Sequence, residues 1–226
     1  MGIQPWALRP EFRVVPDHMP AHLTPEPVAT PIEDAVATDV TAMDWRTLEA
    51  AVAHCTRCAL ADGRTQTVFG VGAHEADWMI VGEGPGAEED RRGEPFVGRA
   101  GHLLDNMLSA IGLRREAVYI ANVVKCRPPG NRDPKPDEVA ACADYLDRQI
   151  ALVRPRLILA LGRFAAQSLL NTDTPVGQLR GQVHRYADAV PLIVTYHPAY
   201  LLRSPEQKAR AWDDLRLARA QLEVVA

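Results

Sequence analysis

Apolar residues in this chain fall into two alternating patterns, short unbroken runs and longer stretches of helical spacing, and the alternation begins near residue 44. Asp44 is placed to cap a short helix carrying Trp45, Leu48, Ala51 and Val52. Trp78-Met79-Ile80-Val81 has the continuous apolarity of a buried strand, and residues 99–112 put Leu103, Leu104, Met107, Leu108 and Ile111 on one helical stripe. A strand is predicted over 118–124 and a helix over 136–153, started by Pro136 and Asp137. The strand over 156–161 precedes a helix over 163–170. Residues 182–186 read as a short strand near an edge, Leu192-Ile193-Val194-Thr195 as another buried strand, and Pro205 opens a final helix reaching residue 223. Apolar strands alternating with helices predict an α/β fold with a short, mostly parallel sheet covered on both faces. Ligands in such folds sit beyond the carboxyl ends of the strands.

Residues 1–43 break this pattern. They hold seven of the 18 prolines and no apolar periodicity, which predicts a disordered tail or linker able to serve as a protein-partner peptide. The organisation expected is therefore a Pro-rich tail at 1–43 and one folded domain at 44–226. A chain of 226 residues, 47% apolar and 24% charged, has enough material for one core and excludes global disorder or a collagen-like chain. The longest clean apolar run, Leu157 to Leu161, is too short to span a bilayer, and the start lacks a basic segment followed by an apolar one. A soluble, cytoplasmic protein without a membrane partner is expected. The formal charge of −4 hides a split. The tail carries two arginines against six acids, whereas the remainder is balanced at 23 against 23. Of the 25 basic residues 22 are arginine, the type suited to phosphate forks, so a basic face for a polyanion stays open.

All four cysteines belong to one arrangement, Cys55-x2-Cys58, then Cys126, then Cys142. Without export signals, disulfides are not expected. A close pair plus two more indicates a thiolate site for zinc or an iron–sulfur cluster, and spacing does not choose between them. Lys125 and the arginines at 57 and 127 flank these residues and are expected to lower thiolate pKa values.

The remaining unusual residues gather at predicted strand ends. Gly82-Glu83-Gly84-Pro85-Gly86 follows the Trp78 strand, but its third glycine comes one place too early for a dinucleotide fingerprint. It offers instead a close backbone approach to a ligand. Phe96, between Pro95 and Gly98, is placed to stack on a planar ligand. Asn122 interrupts an apolar strand, where a buried amide either ties down a loop or reads a ligand edge. His197-Pro198 follows the Leu192 strand. A glycine loop, an aromatic, an amide and a histidine converging on one sheet edge predict a binding site.

At these residues the chain resembles the family-4 uracil-DNA glycosylases, the iron–sulfur branch of the uracil-DNA glycosylase superfamily. The resemblance covers about residues 44–220 and rests on GEGPGAEEDRRGEPFVGRAG at 82–101, NVVKCRPPGNRDPKP at 122–136, HPAYLL at 197–202 and the four cysteines. It implies a three-layer α/β/α sandwich of uracil-DNA glycosylase type, a monomer, and a 4Fe–4S cluster held by Cys55, Cys58, Cys126 and Cys142. It places Phe96 at the uracil-stacking position, Asn122 at the base-reading amide and His197 at the histidine of the second motif. The 82–84 loop matches the motif that shapes the pocket and holds the attacking water. The family's usual alanine is here Gly84, and Glu83 stands where other branches carry a water-activating side chain. A covalently trapping branch has a basic, histidine-containing insert after the Asn122 strand. PPGNRDPKP in its place implies turnover.

The resemblance further implies base excision repair of uracil-containing DNA, with an association with the nucleoid while on DNA. The nucleotide is flipped and the N-glycosidic bond hydrolysed to leave an abasic site, with no lyase step because no lysine sits where a Schiff base needs one. Around this pocket Glu89 and Asn131 are candidates for supporting residues. Lys125, Arg127, Arg132 and Lys135 are candidates for DNA-backbone contacts. Leu201 or Leu202 is the candidate wedge for the gap left by the flipped base. Three rivals are a cluster-containing oxidoreductase, a non-catalytic nucleic-acid module, and the same fold acting on hypoxanthine or xanthine.

Overall fold

The computed structural model describes residues 39–224. Four strands rich in aliphatic residues, β2 (Trp78–Gly82), β3 (Tyr119–Asn122), β4 (Leu157–Leu161) and β6 (Val190–Thr195), pair in parallel in the order β3-β2-β4-β6. Short antiparallel strands close both edges, β1 (Val71–Gly72) beside β3 and β5 (Val183–Tyr186) beside β6. Every residue of β2, β3 and β4 is buried, which is why these strands read as unbroken apolar runs.

Side-chain alternation along each strand divides the core into two layers. Met79, Val81, Ala121, Ile158, Ala160 and Val194 face α1 (Trp45–Ala53), α5 (Pro136–Val153) and α6 (Gly162–Leu170). Trp78, Ile80, Ile120, Leu157, Leu159 and Ile193 face α4 (Arg99–Ala110) and α9 (Lys208–Val224). This is the expected three-layer α/β/α sandwich. The chain leaves β2 over one face through α4 to reach β3, then crosses back over the other face through α5 to reach β4. The two crossovers leave the carboxyl ends of the neighbouring strands β2 and β3 over opposite faces, and ligand crevices in such sheets open beyond those ends.

Several elements depart from the pattern of apolar positions. The polar segment α3 (Ala87–Arg92) has no apolar stripe to announce it; it is held by Gly86 N–H donating to Glu89 Oε2 at 3.1 Å and by Gly93 ending it at φ 78°. Helices α2 (Leu60–Gly63), α7 (Val176–Leu179) and α8 (Pro198–Arg203) are about one turn each and too short to show a period. Strand β3 stops at Asn122, although Val123 and Val124 still donate to Gly82 O and Glu83 O. Pro205 opens a short 3-10 turn, with α9 starting at Lys208.

The tail expected at 1–43 lies outside the described residues up to position 38. Its last five residues belong to the domain, because Val40 and Met43 are buried and Arg148 Nε donates to Met43 O at 2.6 Å. Asp39 caps this start by accepting from Thr41 N–H at 3.0 Å. Among the described residues, no helix is long and apolar enough to cross a membrane.

A buried ionic knot ties the end of β6 to α9. Asp214, fully buried, accepts from Thr195 Oγ1 at 2.8 Å and from Arg180 Nε and Nη2 at 3.0 and 2.8 Å. Removing one member strands the other in an interior it cannot leave. Asp214→Ala is expected to lower the unfolding free energy by about 3–5 kcal/mol. A urea titration should show the midpoint falling with the slope unchanged.

Candidate active site at the strand ends

Four neighbouring strands end on one side of the sheet, and each delivers a different group. β2 delivers Gly82 and Glu83. In the parallel register Gly82 lies opposite Asn122, the last residue of β3. The Asn122 side chain is buried, and its Oδ1 has no hydrogen-bond partner. An unmet buried oxygen of this kind costs about 1–3 kcal/mol, a cost that a ligand donor can remove. A β-carbon at Gly82 would lie 2.5 Å from that oxygen and 2.5 Å from Phe96 Cζ. The Phe96 ring and the Asn122 amide therefore meet above one glycine, and no larger residue fits beneath them.

Phe96 reaches this point from the loop between α3 and α4. Its φ of 54° places it in the left-handed region, a costly conformation for an aromatic residue. Glu89 fixes the loop from one side, with Oε1 accepting from Val97 N–H at 2.9 Å and Gly98 N–H at 3.0 Å. It thus supports the pocket through the backbone. The Phe96 ring lies 5.5 Å from the imidazole of His197.

His197 follows β6 and caps α8, its Nδ1 accepting from Ala199 N–H at 3.1 Å. That bond leaves the ring proton on Nε2. Burial, with a smaller contribution from Arg203, pulls the imidazole pKa down to about 4, so the ring is neutral near pH 7. Gly162, with φ 85° at the end of β4, lies beneath it; a β-carbon there would come within 2.8 Å of His197 Cβ. Glu83 is half-buried, and desolvation followed by the charge of Asp133 raises its carboxyl pKa to about 7. A cleft of about 210 Å³ is lined by Glu83, Gly84, Phe96, Asn122, Asn131, Arg132 and His197, so the structure brings together most of the expected pocket residues.

The basic residues expected to touch DNA divide. Lys125 is buried, donating through Nζ to Asn122 O at 2.8 Å and to Gln149 Oε1 at 2.5 Å. It is unavailable to a phosphate, because its position after a buried strand turns it inward beneath Asn122. Arg132 makes a two-pronged bond to buried Glu138 at 2.8 and 2.6 Å while keeping one side on the cleft. Arg127 donates to Asn131 Oδ1 at 2.7 Å, and Lys135 is exposed. Arg163, absent from the expected set, stands after the Gly162 turn paired with Asp133 and close enough to Glu83 to influence its charge. Its signal was a glycine and an arginine directly after an apolar strand. Of the two leucines, Leu201 is buried against α9, whereas Leu202 is 37% exposed.

The four cysteines line a separate cavity beside α5. Donors aim at their sulfurs: Arg64 Nη1 at 3.1 Å from Cys126 Sγ, Lys125 N–H at 3.4 Å from Cys142 Sγ and Arg57 N–H at 3.5 Å from Cys55 Sγ. The side chains of Arg57 and Arg127 do not serve the sulfurs. Arg57 pairs with Asp144 and lies over Tyr145; the cations that favour the thiolates are Arg64, on Cys126, and, as expected, Lys125, on Cys142, though burial outweighs both. As free thiols Cys126 and Cys142 are not activated as expected, since burial raises the first and pushes the second up to about 11. Among the described residues, no three His, Cys, Asp or Glu side chains converge closely enough for a single metal ion.

The uracil-DNA glycosylase superfamily model matches residues 69–216. A type-4 uracil-DNA glycosylase of Archaeoglobus fulgidus is 48% identical over 169 residues, covering 72% of this chain and 85% of the relative. This chain belongs to that superfamily, in its type-4 branch. A type-4 enzyme of Thermotoga maritima is 46% identical, with 70% of this chain and 83% of the relative covered. A type-5 uracil-DNA glycosylase of Thermus thermophilus is 36% identical over 118 residues, covering 46% and 53%. The superfamily match includes Glu83, Phe96, Asn122, Cys126, Cys142 and His197 but begins after Cys55 and Cys58, so the close cysteine pair lies outside the part that it describes.

Two-dimensional nitrogen NMR on selectively labelled protein tests the histidine. The expected outcome is a neutral His197 ring protonated on Nε2 that stays neutral on acidification to about pH 4. Protonation near pH 6.5, the ordinary value, would contradict the burial on which the tautomer rests.

Proposed function

We propose that this chain excises uracil from DNA by hydrolysing the C1′–N1 bond, leaving an abasic site without cutting the strand. The observation that carries the reading is the unpartnered Asn122 Oδ1, buried beside the Phe96 ring at the carboxyl end of the sheet. Uracil flipped into the cleft stacks on Phe96, a contact worth about 1–3 kcal/mol. Asn122 Oδ1 accepts from N3–H and its amide nitrogen donates to O4. Cytosine presents the opposite polarity at both positions and leaves both groups unmet, each at about 1–3 kcal/mol.

Bond breaking develops positive character at the sugar and negative charge on uracil O2. A neutral imidazole with its proton on Nε2 donates to O2 as that charge appears, without first delivering a full positive charge to a neutral base. Water adds at C1′, oriented by the Gly82–Gly84 backbone and activated by Glu83 as carboxylate. Glu89 holds the stacking loop and Asn131 borders the cleft. Arg127, Arg132 and Lys135 meet the DNA backbone, and exposed Leu202 fills the gap in the stack.

Cys55, Cys58, Cys126 and Cys142 hold a 4Fe–4S cluster. This assignment is supported by four thiols around one cavity and by donors aimed at three sulfurs. When bound, the cluster supplies a structural tie among the α1–α2 loop, the segment after β3 and α5. The protein acts as a monomer in the cytoplasm, joining the nucleoid on DNA, and residues 1–38 are the candidate segment for a protein partner.

A labelled oligonucleotide carrying one uracil, treated with hot alkali after incubation, tests the reading. Wild type is expected to release uracil, whereas His197→Ala and Asn122→Ala lose it by a factor of about 100 or more. A thymine strand should stay intact. Failure of folded, iron-loaded wild-type protein to release uracil, with cleavage instead at hypoxanthine, would move the assignment to another damaged base. Glu83 gives the pH dependence a sign. With its carboxyl near 7, kcat/KM should rise as pH increases through about 7 and then level off. Glu83→Gln should remove the rise, and Asp133→Asn, by removing a neighbouring negative charge, should move it to lower pH.

A further inference from the structure

Phe96 is held in its left-handed conformation by more than Glu89. On the opposite side of the loop, Arg115 Nη1 donates to Phe96 O at 3.2 Å and Arg115 Nη2 donates to Pro95 O. The same guanidinium is oriented by Asp105 of α4, at 3.0 Å. One cation therefore gathers two consecutive carbonyls while one anion, Glu89, gathers the next two N–H groups. Each charge matches the backbone dipoles it faces. The crowding is severe: a β-carbon at residue 101 would lie 1.9 Å from Phe96 O, so α4 can approach the loop only through Gly101.

Arg115 sits in the 3-10 turn Arg115–Ala117, just ahead of β3. Asn122 ends that strand. The stacking ring is thus braced to the start of the segment whose far end carries the base-reading amide. We infer that Arg115, oriented by Asp105, is a positioning residue for uracil recognition: it grips the Pro95 and Phe96 carbonyls and sets the Phe96 ring against Asn122. The inference rests on the reading of this cleft as a uracil pocket. Arg115 is mostly buried and engaged on backbone oxygens, a different role from the phosphate contacts of the rim arginines.

A double-mutant cycle decides it. Arg115→Met, Phe96→Ala and the double variant are compared by single-turnover uracil release and by inhibition with free uracil, which probes the pocket without DNA. Arg115→Met alone is expected to lower kcat/KM on the order of tenfold to a hundredfold and to weaken free-uracil inhibition in parallel. In the Phe96→Ala background the same change should cost little more, because its target is already gone. Arg115→Lys, keeping the charge but unable to fork, should recover part of the loss and serves as the folded control if the methionine variant is unstable. Effects that multiply in the double variant, or unchanged inhibition by free uracil, would overturn the inference. A shallower salt dependence with an intact uracil constant would instead make Arg115 a phosphate contact. Absence of uracil release from wild type would count against the pocket assignment itself and so is distinguishable from either.

Discussion

The site depends on crowding at the end of β2. Gly82 has no room for a β-carbon because the Asn122 amide and the Phe96 ring both press on it from 2.5 Å. The parallel register places Asn122 there by pairing it with Gly82. A second strand pair repeats the device. β4 and β6 run in register to Leu161 and Thr195, and just beyond them Gly162 passes under His197. In each pair one strand end gives up its side chain so that its neighbour can place a functional group over the gap. Strand pairing thereby sets the spacing between amide and imidazole, while Glu89 and Arg115 bring the ring to them from the α3–α4 loop. Ordinary β-sheet hydrogen bonding thus does the positioning that loops alone would do loosely.

The cysteine cavity and the base pocket are separate, yet one residue joins them. Lys125 donates its backbone N–H toward Cys142 Sγ and its ammonium to Asn122 O. Its other ammonium partner is Gln149, which in turn donates to Tyr119 Oη and Phe69 O. The lysine is therefore a buried brace between Cys142 on α5 and the last residue of β3. Disorder in the cysteine loops would be felt at the carbonyl of the base-reading residue without any electron having to move. On the proposed assignment of a cluster to these cysteines, this connectivity suits a structural role.

Much of this was legible in the chain. Strands that are buried on both faces appear as apolar runs, and Trp78 to Val81 could be read for that reason. The convergence of Asn122 and His197 was legible because each lies at or just past the end of such a run and topology sends those ends to one side. Phe96, on the loop between α3 and α4, was legible only as an aromatic set between a proline and a glycine. The orientation of charged side chains was not. Lys125 lies in a stretch that reads as basic and loop-like, but the burial of Val123 and Val124 carries it inward. Arg115 carries no local signal at all, since its partners are carbonyls nineteen and twenty residues away. The polar helix α3 was invisible for a related reason: it is held by a glutamate and a left-handed glycine and contributes no apolar stripe.

The distribution of charge around the cleft follows the chemistry it serves. Uracil is neutral before the reaction, so a fully charged group against it would gain little in the ground state and would lose its own hydration. The groups proposed to touch the base are accordingly neutral: an amide, a phenyl ring and an imidazole whose pKa is pulled down to about 4. Charged residues are present close by but act on the main chain. Glu89 holds N–H groups, Arg115 holds carbonyls, Lys125 holds Asn122 O, and Arg132 is neutralised by Glu138. These bonds keep the neutral dipoles fixed so that they do not have to reorganise when negative charge appears on O2, and preorganised dipoles of this kind favour a transition state over a ground state. Glu83 is the exception: it borders the cleft as a titratable carboxyl, which suits the proposed task of taking a proton from water.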